Sequence, residues 1–298
     1  STRSVDDLVA AMGVAAGVSK SEVSRICAGL DKEIEAFRTR SLTHTQFPYV
    51  FCDATFCKVR IGAHVVSQAL VVATGVSLEG TREVLGTAVG DSESFEFWRE
   101  FLASLKARGL TGVHLVISDA HAGLKAAVAQ QFTGSSWQRC RVHFMRNLHT
   151  AVAAKHAPAV TAAVKTIFAH TDPAEVAAQW DRVADTLAPS FPKVAAMLGE
   201  AKTDVLAFTA FPRAHWQKIW SNNPIERLNK EIKRRADVVE IFPNPAAFLR
   251  LATAVVIEAH DEWQVTRRYL SDVSMDELRA VIETKHAAAA LVKQHQIT

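Results

Sequence analysis

The sequence predicts an α/β protein, a mixed sheet with helices on its faces, helices ahead of it and a long all-helical stretch behind it. Three observations carry this. Residues 47–76 are dense in β-branched and aromatic residues, with a turn signal at Ile61 and Gly62. Residues 82–142 alternate short apolar runs with segments of helical periodicity. Alanine is abundant from about residue 150 onward, and residues 143 to about 220 are nearly all helical in pattern.

Taken in order, residues 5–12 form a short amphipathic helix and residues 13–18 a small-residue turn. Ser19, with Glu22 three residues on, caps a second helix through Ile26, Leu30 and Ile34. The outline resembles helix-turn-helix, with Ser19, Lys20, Ser21, Ser24 and Arg25 where base readers sit, although paired helices on a glycine turn are common in any helical protein. Residues 47–60 and 63–76 read as a hairpin and 82–89 as a third strand. A helix over 94–108 stops at Gly109, a buried-type strand covers 113–117, a helix 122–132 and a strand 137–142. The resulting order, three meandering strands followed by alternating units, fits a mixed sheet and is also the strand order of the ribonuclease H-like fold. Further on, Asp172–Pro173 with Glu175 opens a helix, Pro192 and Pro212 punctuate others, Asn244–Pro245 opens a long apolar one, and Ser274 with Glu277 caps the last.

Composition narrows the function classes only moderately. The 298 residues are 49% hydrophobic and 22% charged, ordinary values for a globular chain. A net charge of +3 is compatible with nucleic acid without arguing for it. No apolar run is long enough to span a membrane, and the first residues lack the pattern of a secretory signal. Cys27, Cys52, Cys57 and Cys140 form no CxxC pair, which fits reduced thiols in the cytoplasm. Cys52 and Cys57, five apart in a strand, point to opposite faces and so share no zinc.

Chemistry concentrates in three carboxylates. Residues 221–235, SNNPIERLNKEIKRR, read as a helix with Asn223 as N-cap, Pro224 first and Glu226 third. Ile225, Leu228 and Ile232 make its apolar stripe; Glu226, Asn229, Lys230 and Lys233 make a neighbouring polar one. Alone, Glu226 is better explained by a capping box. Asp53, within YVFCDATF, carries a charge in an apolar strand, unless it faces outward. Asp119 follows VHLVIS at the carboxyl end of a strand, where ligands bind in open α/β sheets, or where an Asp simply caps the next helix. Together, three carboxylates converging on one sheet edge can hold two Mg²⁺ ions about 3.5–4 Å apart.

The strand YVFCDATFCKVR, the turn VHLVISDAHAGLKAAV, the segment WQRCRVHFMRNL and the helix SNNPIERLNKEIKRR, in that order, resemble the Mutator-type transposases of bacterial insertion sequences. The resemblance runs from the opening STRSVDDL to Tyr269. It implies a ribonuclease H-like core in two parts (46–143 and 221–298), interrupted by an all-helical insertion (144–220) and preceded by a helical segment (1–45) that is the tail of a longer end-binding region. It also implies that Asp53, Asp119 and Glu226 are a catalytic DDE triad, the ligands of two Mg²⁺ ions for which Mn²⁺ substitutes. Cys140 and His143 match the family's Cys-x-x-His signature, read here as a structural or DNA-positioning pair, with Asn223 and Asn229 as further signature positions.

The implied reaction is Mg-dependent cleavage at terminal inverted repeats and strand transfer into target DNA, by a homodimer or higher oligomer at the bacterial nucleoid. Lys230, Lys233, Arg234 and Arg235 are the foremost candidates for DNA-backbone contacts, followed by Arg139, Arg141, Arg146, Arg213 and Lys218. Trp216 or Trp220 could stack on a base or pack in the core. The competing readings are a nuclease or resolvase without strand transfer and a non-enzymatic DNA-binding regulator.

Overall fold

A computed structural model describes residues 20–90, 94–266 and 268–295. Its centre is a mixed sheet in the order β3-β2-β1-β4-β5, with β6 also on β1. The strands are β1 (Tyr49–Ile61), β2 (His64–Val76), β3 (Arg82–Gly90), β4 (Leu115–Ser118), β5 (Ser136–Arg139) and β6 (Ile241–Phe242). The first three run antiparallel, whereas β4 and β5 run parallel to β1.

Helix α1 (Lys20–Thr39) precedes the sheet, and α2 (Phe95–Ala107) and α3 (Ala122–Gln131) lie between β3 and β5. The helical stretch is α4 (Arg141–Thr150), α5 (Ala157–Ile167), α6 (Pro173–Leu187), α7 (Pro192–Val205) and the single turn α8 (Trp216–Ile219). The chain then returns to the sheet through α9 (Asn223–Ala236), β6, α10 (Pro245–Val265) and α11 (Asp272–His295).

Alternation along β1 divides the core. Tyr49, Phe51, Cys57 and Val59 face the helical stretch and α9–α11, and Val50 and Cys52 face α2 and α3. The two cysteines therefore do point to opposite faces. Residues of the helical stretch (Phe144, Trp180, Leu198, Phe208) are continuous with the first of these cores. Gln138 of β5 ties that stretch down: its amide donates to Val205 O at 2.8 Å and its carbonyl accepts from Phe208 N at 2.8 Å. Tyr49 lies 2.7 Å from Nδ1 of the fully buried His215.

One consequence of the pairing sets up the site. On the side of β1 away from β2, β4 pairs only with residues 49–51 and β6 only with Lys58 and Val59. Among the described residues, 52–57 have no strand partner there, and the start of α9 enters this slot: Asn222 Nδ2 donates to Cys52 O at 3.0 Å.

Several expectations shift. The hairpin turn is Gly62–Ala63, since Ile61 pairs with His64, and Gly62 takes the left-handed φ of 59° that such a two-residue turn requires. The strand expected over 137–142 ends at Arg139, because Cys140 is already the N-cap of α4. The last helix starts at Asp272; Ser274 lies inside it and Ser271 stands at its head, accepting from Ser274 N. The two-residue β6 had no visible pattern. The helix expected over 5–12 and the cap at Ser19 lie outside the described residues. In α1, Ile34 is buried and Leu30 is partly exposed.

Candidate active site

The register of the parallel strands places the first two carboxylates side by side. Phe51 pairs with Ile117, and Asp53 and Asp119 each lie two residues further on. Ser118 pairs with Arg139, so Cys140 continues the same row on β5, and its N–H donates to Ser118 O at 2.7 Å. Adjacent strands stand about 4.8 Å apart, so three neighbouring chain ends present their side chains along one short edge.

Asp53 sits on the face turned toward α9. Its Oδ2 accepts from Asn229 Nδ2 at 2.9 Å and its Oδ1 from Ala54 N at 3.0 Å. Burial pushes its pKa up to about 6, against these hydrogen bonds and the charge of His143, with nearby Glu226 adding to the rise. The outward-facing alternative for Asp53 is thereby removed. Asp119 does not cap α3. His121 does, with Nδ1 accepting from Leu124 N at 3.2 Å, while Asp119 Oδ1 holds only the adjacent Ala120 N at 2.6 Å.

Glu226 likewise makes no capping box. The N-cap of α9 is Asn222, one residue before the expected Asn223, and its side chain makes no cap bond. Cys52 O takes its amide, and its backbone N–H donates to Cys140 Sγ at 3.3 Å. Tertiary bonds have taken the polar groups that a local cap would have used. Asn223 is exposed. Glu226 turns toward α4 instead, with Oε1 4.0 Å from His143 Nε2 and 3.7 Å from Arg146. Both separations exceed hydrogen-bond length, and Oε1 is buried without a partner.

His143 is the shared neighbour of the three carboxylates. The proximity of Cys140, then the charges of Asp119 and Asp53, raise its pKa to about 9, against the effect of burial. The imidazolium at this point offsets clustered negative charge. Cys140 is buried, and its Sγ accepts the Asn222 N–H at the entry to α9. Among the described residues, no three His, Cys, Asp or Glu side chains stand close enough to enclose a metal ion.

The candidate DNA contacts separate into two sets. Lys230 and Lys233 are exposed on α9, and Arg146, Arg213 and Lys218 are also exposed. Arg234 is bound to Glu231, and Arg235 to Glu231 and Glu258. Arg141 lies over the Trp220 ring at 3.9 Å and the Phe168 ring at 4.7 Å, and Arg139 lies over Phe144 at 4.9 Å. Trp216 is buried, donating Nε1–H to Phe211 O at 2.8 Å, which makes it a core residue. Trp220 is half-buried between Arg141 and two phenylalanines. Sequence reasoning missed Asn222, whose only signal was its position beside Asn223, and it missed the anchors Gln138 and His215.

An α/β fold that gathers acidic side chains at the carboxyl edge of parallel strands, beside a basic helix, belongs with the enzymes that bind ligands at that edge. Residues 1–266 match the family described as "Transposase, Mutator family", and the chain belongs to it. It is 46% identical over 289 residues to the transposase for insertion sequence element IS1081 of Mycobacterium tuberculosis, covering 97% of this chain and 69% of that protein. It is 37% identical over 274 residues to the transposase for IS256 in transposon Tn4001 of Staphylococcus aureus (91% of this chain, 70% of that one). The transposase for ISRM5 of Rhizobium meliloti is 38% identical over 261 residues, covering 88% and 65% respectively.

Proposed function

We propose that this chain is a DNA transposase whose Asp53, Asp119 and Glu226 act as one catalytic set on a ribonuclease H-like core. The observation that carries the reading is the side-by-side register of Asp53 and Asp119, together with the docking of α9 into the unpaired slot beside them. The strand order, three antiparallel strands followed by two parallel ones, supports the ribonuclease H-like assignment. The helices between β5 and α9 are then the insertion.

The donor chemistry, all oxygen, suits a hard divalent cation, although the three carboxylates do not stand close enough to enclose one in this structure. Glu226 Oε1 and Asn229 Oδ1 are buried oxygens without partners, and Asp53 has a carboxylate made costly by burial. Drawn together by side-chain rotation, Asp53, Asp119 and Glu226 would hold magnesium, with manganese as a substitute. Bound there, the ions supply Lewis-acid activation of an attacking oxygen and neutralise charge on the phosphate.

The residues supply the rest. Asn229 orients Asp53, Asn222 fixes the start of α9 so that Glu226 reaches the edge from a rigid helix, and His143 and Arg146 offset the carboxylate charge. Lys230 and Lys233 lie on the adjoining face for phosphate contact. In the first step a water oxygen bonds to phosphorus and the element's 3′ oxygen leaves as a hydroxyl, with a 5′-phosphate on the flank. In the second that 3′-OH attacks a target phosphodiester and the target's own 3′ oxygen leaves. Joining two ends requires two sites, hence at least a dimer.

The same triad would serve a nuclease that stops after the first step. A joining assay with a pre-nicked element-end duplex and a plasmid target separates the two. A transposase yields joined product with Mg²⁺, which is lost in Glu226→Gln. Cleavage without any joining would move the reading to the nuclease.

A further inference from the structure

Beside the carboxylate face, α9 borders a groove of about 810 Å³, walled by α10 and the segment around Tyr269. At about 100° per residue, Asn223, Arg227, Lys230 and Arg234 share one stripe of α9. That stripe lies about 60° around the helix from Glu226, with Lys230 on the border between them. The groove and the proposed active face therefore meet along one edge of the same helix.

The charge in this groove is unevenly matched. Of its carboxylates, Glu231 and Glu258 are taken up by Arg234 and Arg235. Arg227 and Lys230 have no hydrogen bond or ion pair among the described residues, and Arg82 has only ring contacts. The Arg82 guanidinium lies 3.7 Å over the Trp263 ring and 5.1 Å from the Tyr269 ring, with Lys218 Nζ 4.4 Å over the same tyrosine. Its Nε is buried without a partner. Burial lowers the Arg82 pKa, with the charge of Arg227 adding to that effect and Tyr269 and Glu262 opposing it. Glu262 is near enough to feel Arg82 but makes no ion pair with it. Holding two guanidinium groups near each other without a bonded carboxylate costs free energy that an anion would recover.

We propose that this groove binds a single strand of DNA, its phosphates held by Arg82, Lys218, Arg227 and Lys230 and a base stacked on the Arg82–Trp263 layer. A cationic groove with aromatic rings interleaved is the pattern of single-strand binding, in which stacking tolerates any base. The proposal rests on the transposase reading and deepens it. The strand held here is the one that leaves the Glu226 face once the duplex end is opened.

The test is fluorescence anisotropy with a labelled single strand and with the matching duplex, in EDTA so that no strand is cut. Arg227→Ala, at an exposed position, is the principal variant, and Arg82→Gln with Arg227→Ala the second. The expected result is a loss of single-strand affinity of about tenfold for Arg227→Ala, more for the pair, and a salt slope shallower by about 0.7 for each contact removed. Duplex affinity should change less. Unchanged single-strand affinity and slope in Arg227→Ala would overturn the proposal, as would an equal loss on duplex. Because binding is read without metal, Glu226→Gln should bind the strand as wild type does. Were that variant still to nick DNA in Mg²⁺, the triad would be wrong and the groove would still be judged on its own binding data.

Discussion

At the residue scale, the site is defined by polar groups whose local alternatives are used up elsewhere. Asp119 is not a cap because His121 is, and Glu226 is not in a capping box because Asn222 is held by β1. Asp53 shows the cost of this arrangement. Its pKa is raised from 3.8 to about 6, so the folded chain holds this proton more tightly than the unfolded one. The sign follows: its stabilising contribution is complete below pH 3.8 and is lost as pH rises through about 6. In EDTA at pH 8, Asp53→Asn should therefore melt higher than wild type, by up to about 3 kcal/mol, and the gap should close toward pH 4. Thermal melts across that range check it; a lower melting temperature at pH 8 would show that the carboxylate is well satisfied in the fold. The asparagine variant should also lose DNA nicking, so that stability and activity move in opposite directions.

Elements were legible where periodicity was strong and less so at their ends. The apolar stripe Ile225, Leu228 and Ile232 is buried as its spacing requires, and Asp172 caps α6 through Ala174 N and Glu175 N as its Pro and Glu foretell. The same Asx-Pro-x-Glu pattern at Asn223 did not cap α9. The difference is tertiary: nothing competes for Asp172 on the surface, whereas Cys52 O and Cys140 Sγ draw Asn222 into the slot beside β1. Such a contact, between residues far apart in the chain, leaves no trace in local sequence. Asn222→Ala should destabilise the fold by about 1–3 kcal/mol, since Cys52 O is left buried and unpaired. Nicking should fall more than that loss explains at a temperature where the variant is folded. Equal activity at full folding would mean that the helix start needs no such anchor.

For the whole molecule, the sequence carried the α/β class, the strand order as far as β5 and the all-helical stretch. It did not carry β6, a two-residue strand with no period to read, nor the side-chain ties that fasten the helical stretch to the sheet. Gln138 and the Tyr49–His215 pair are such ties. Burial lowers the His215 pKa to about 4, so the unfolded chain binds this proton more readily than the folded one. The stability it contributes is present above pH 6.5 and lost as pH falls through about 4. His215→Gln should flatten that acid limb, read by denaturant titration at pH 7 and pH 4.5; an unaltered pH dependence would place the acid sensitivity elsewhere. Among the described residues no helix is long and apolar enough to cross a membrane.

The joint action of the three carboxylates is most directly tested by nicking of an element-end duplex in Mg²⁺ by Asp53→Asn, Asp119→Asn, Glu226→Gln and the double variant Asp119→Asn with Glu226→Gln. Residues that act as one set should each cost about 10³-fold or more, and the double variant should be little worse than either single one. Nicking retained by Glu226→Gln, or losses that multiply in the double variant, would contradict a shared site.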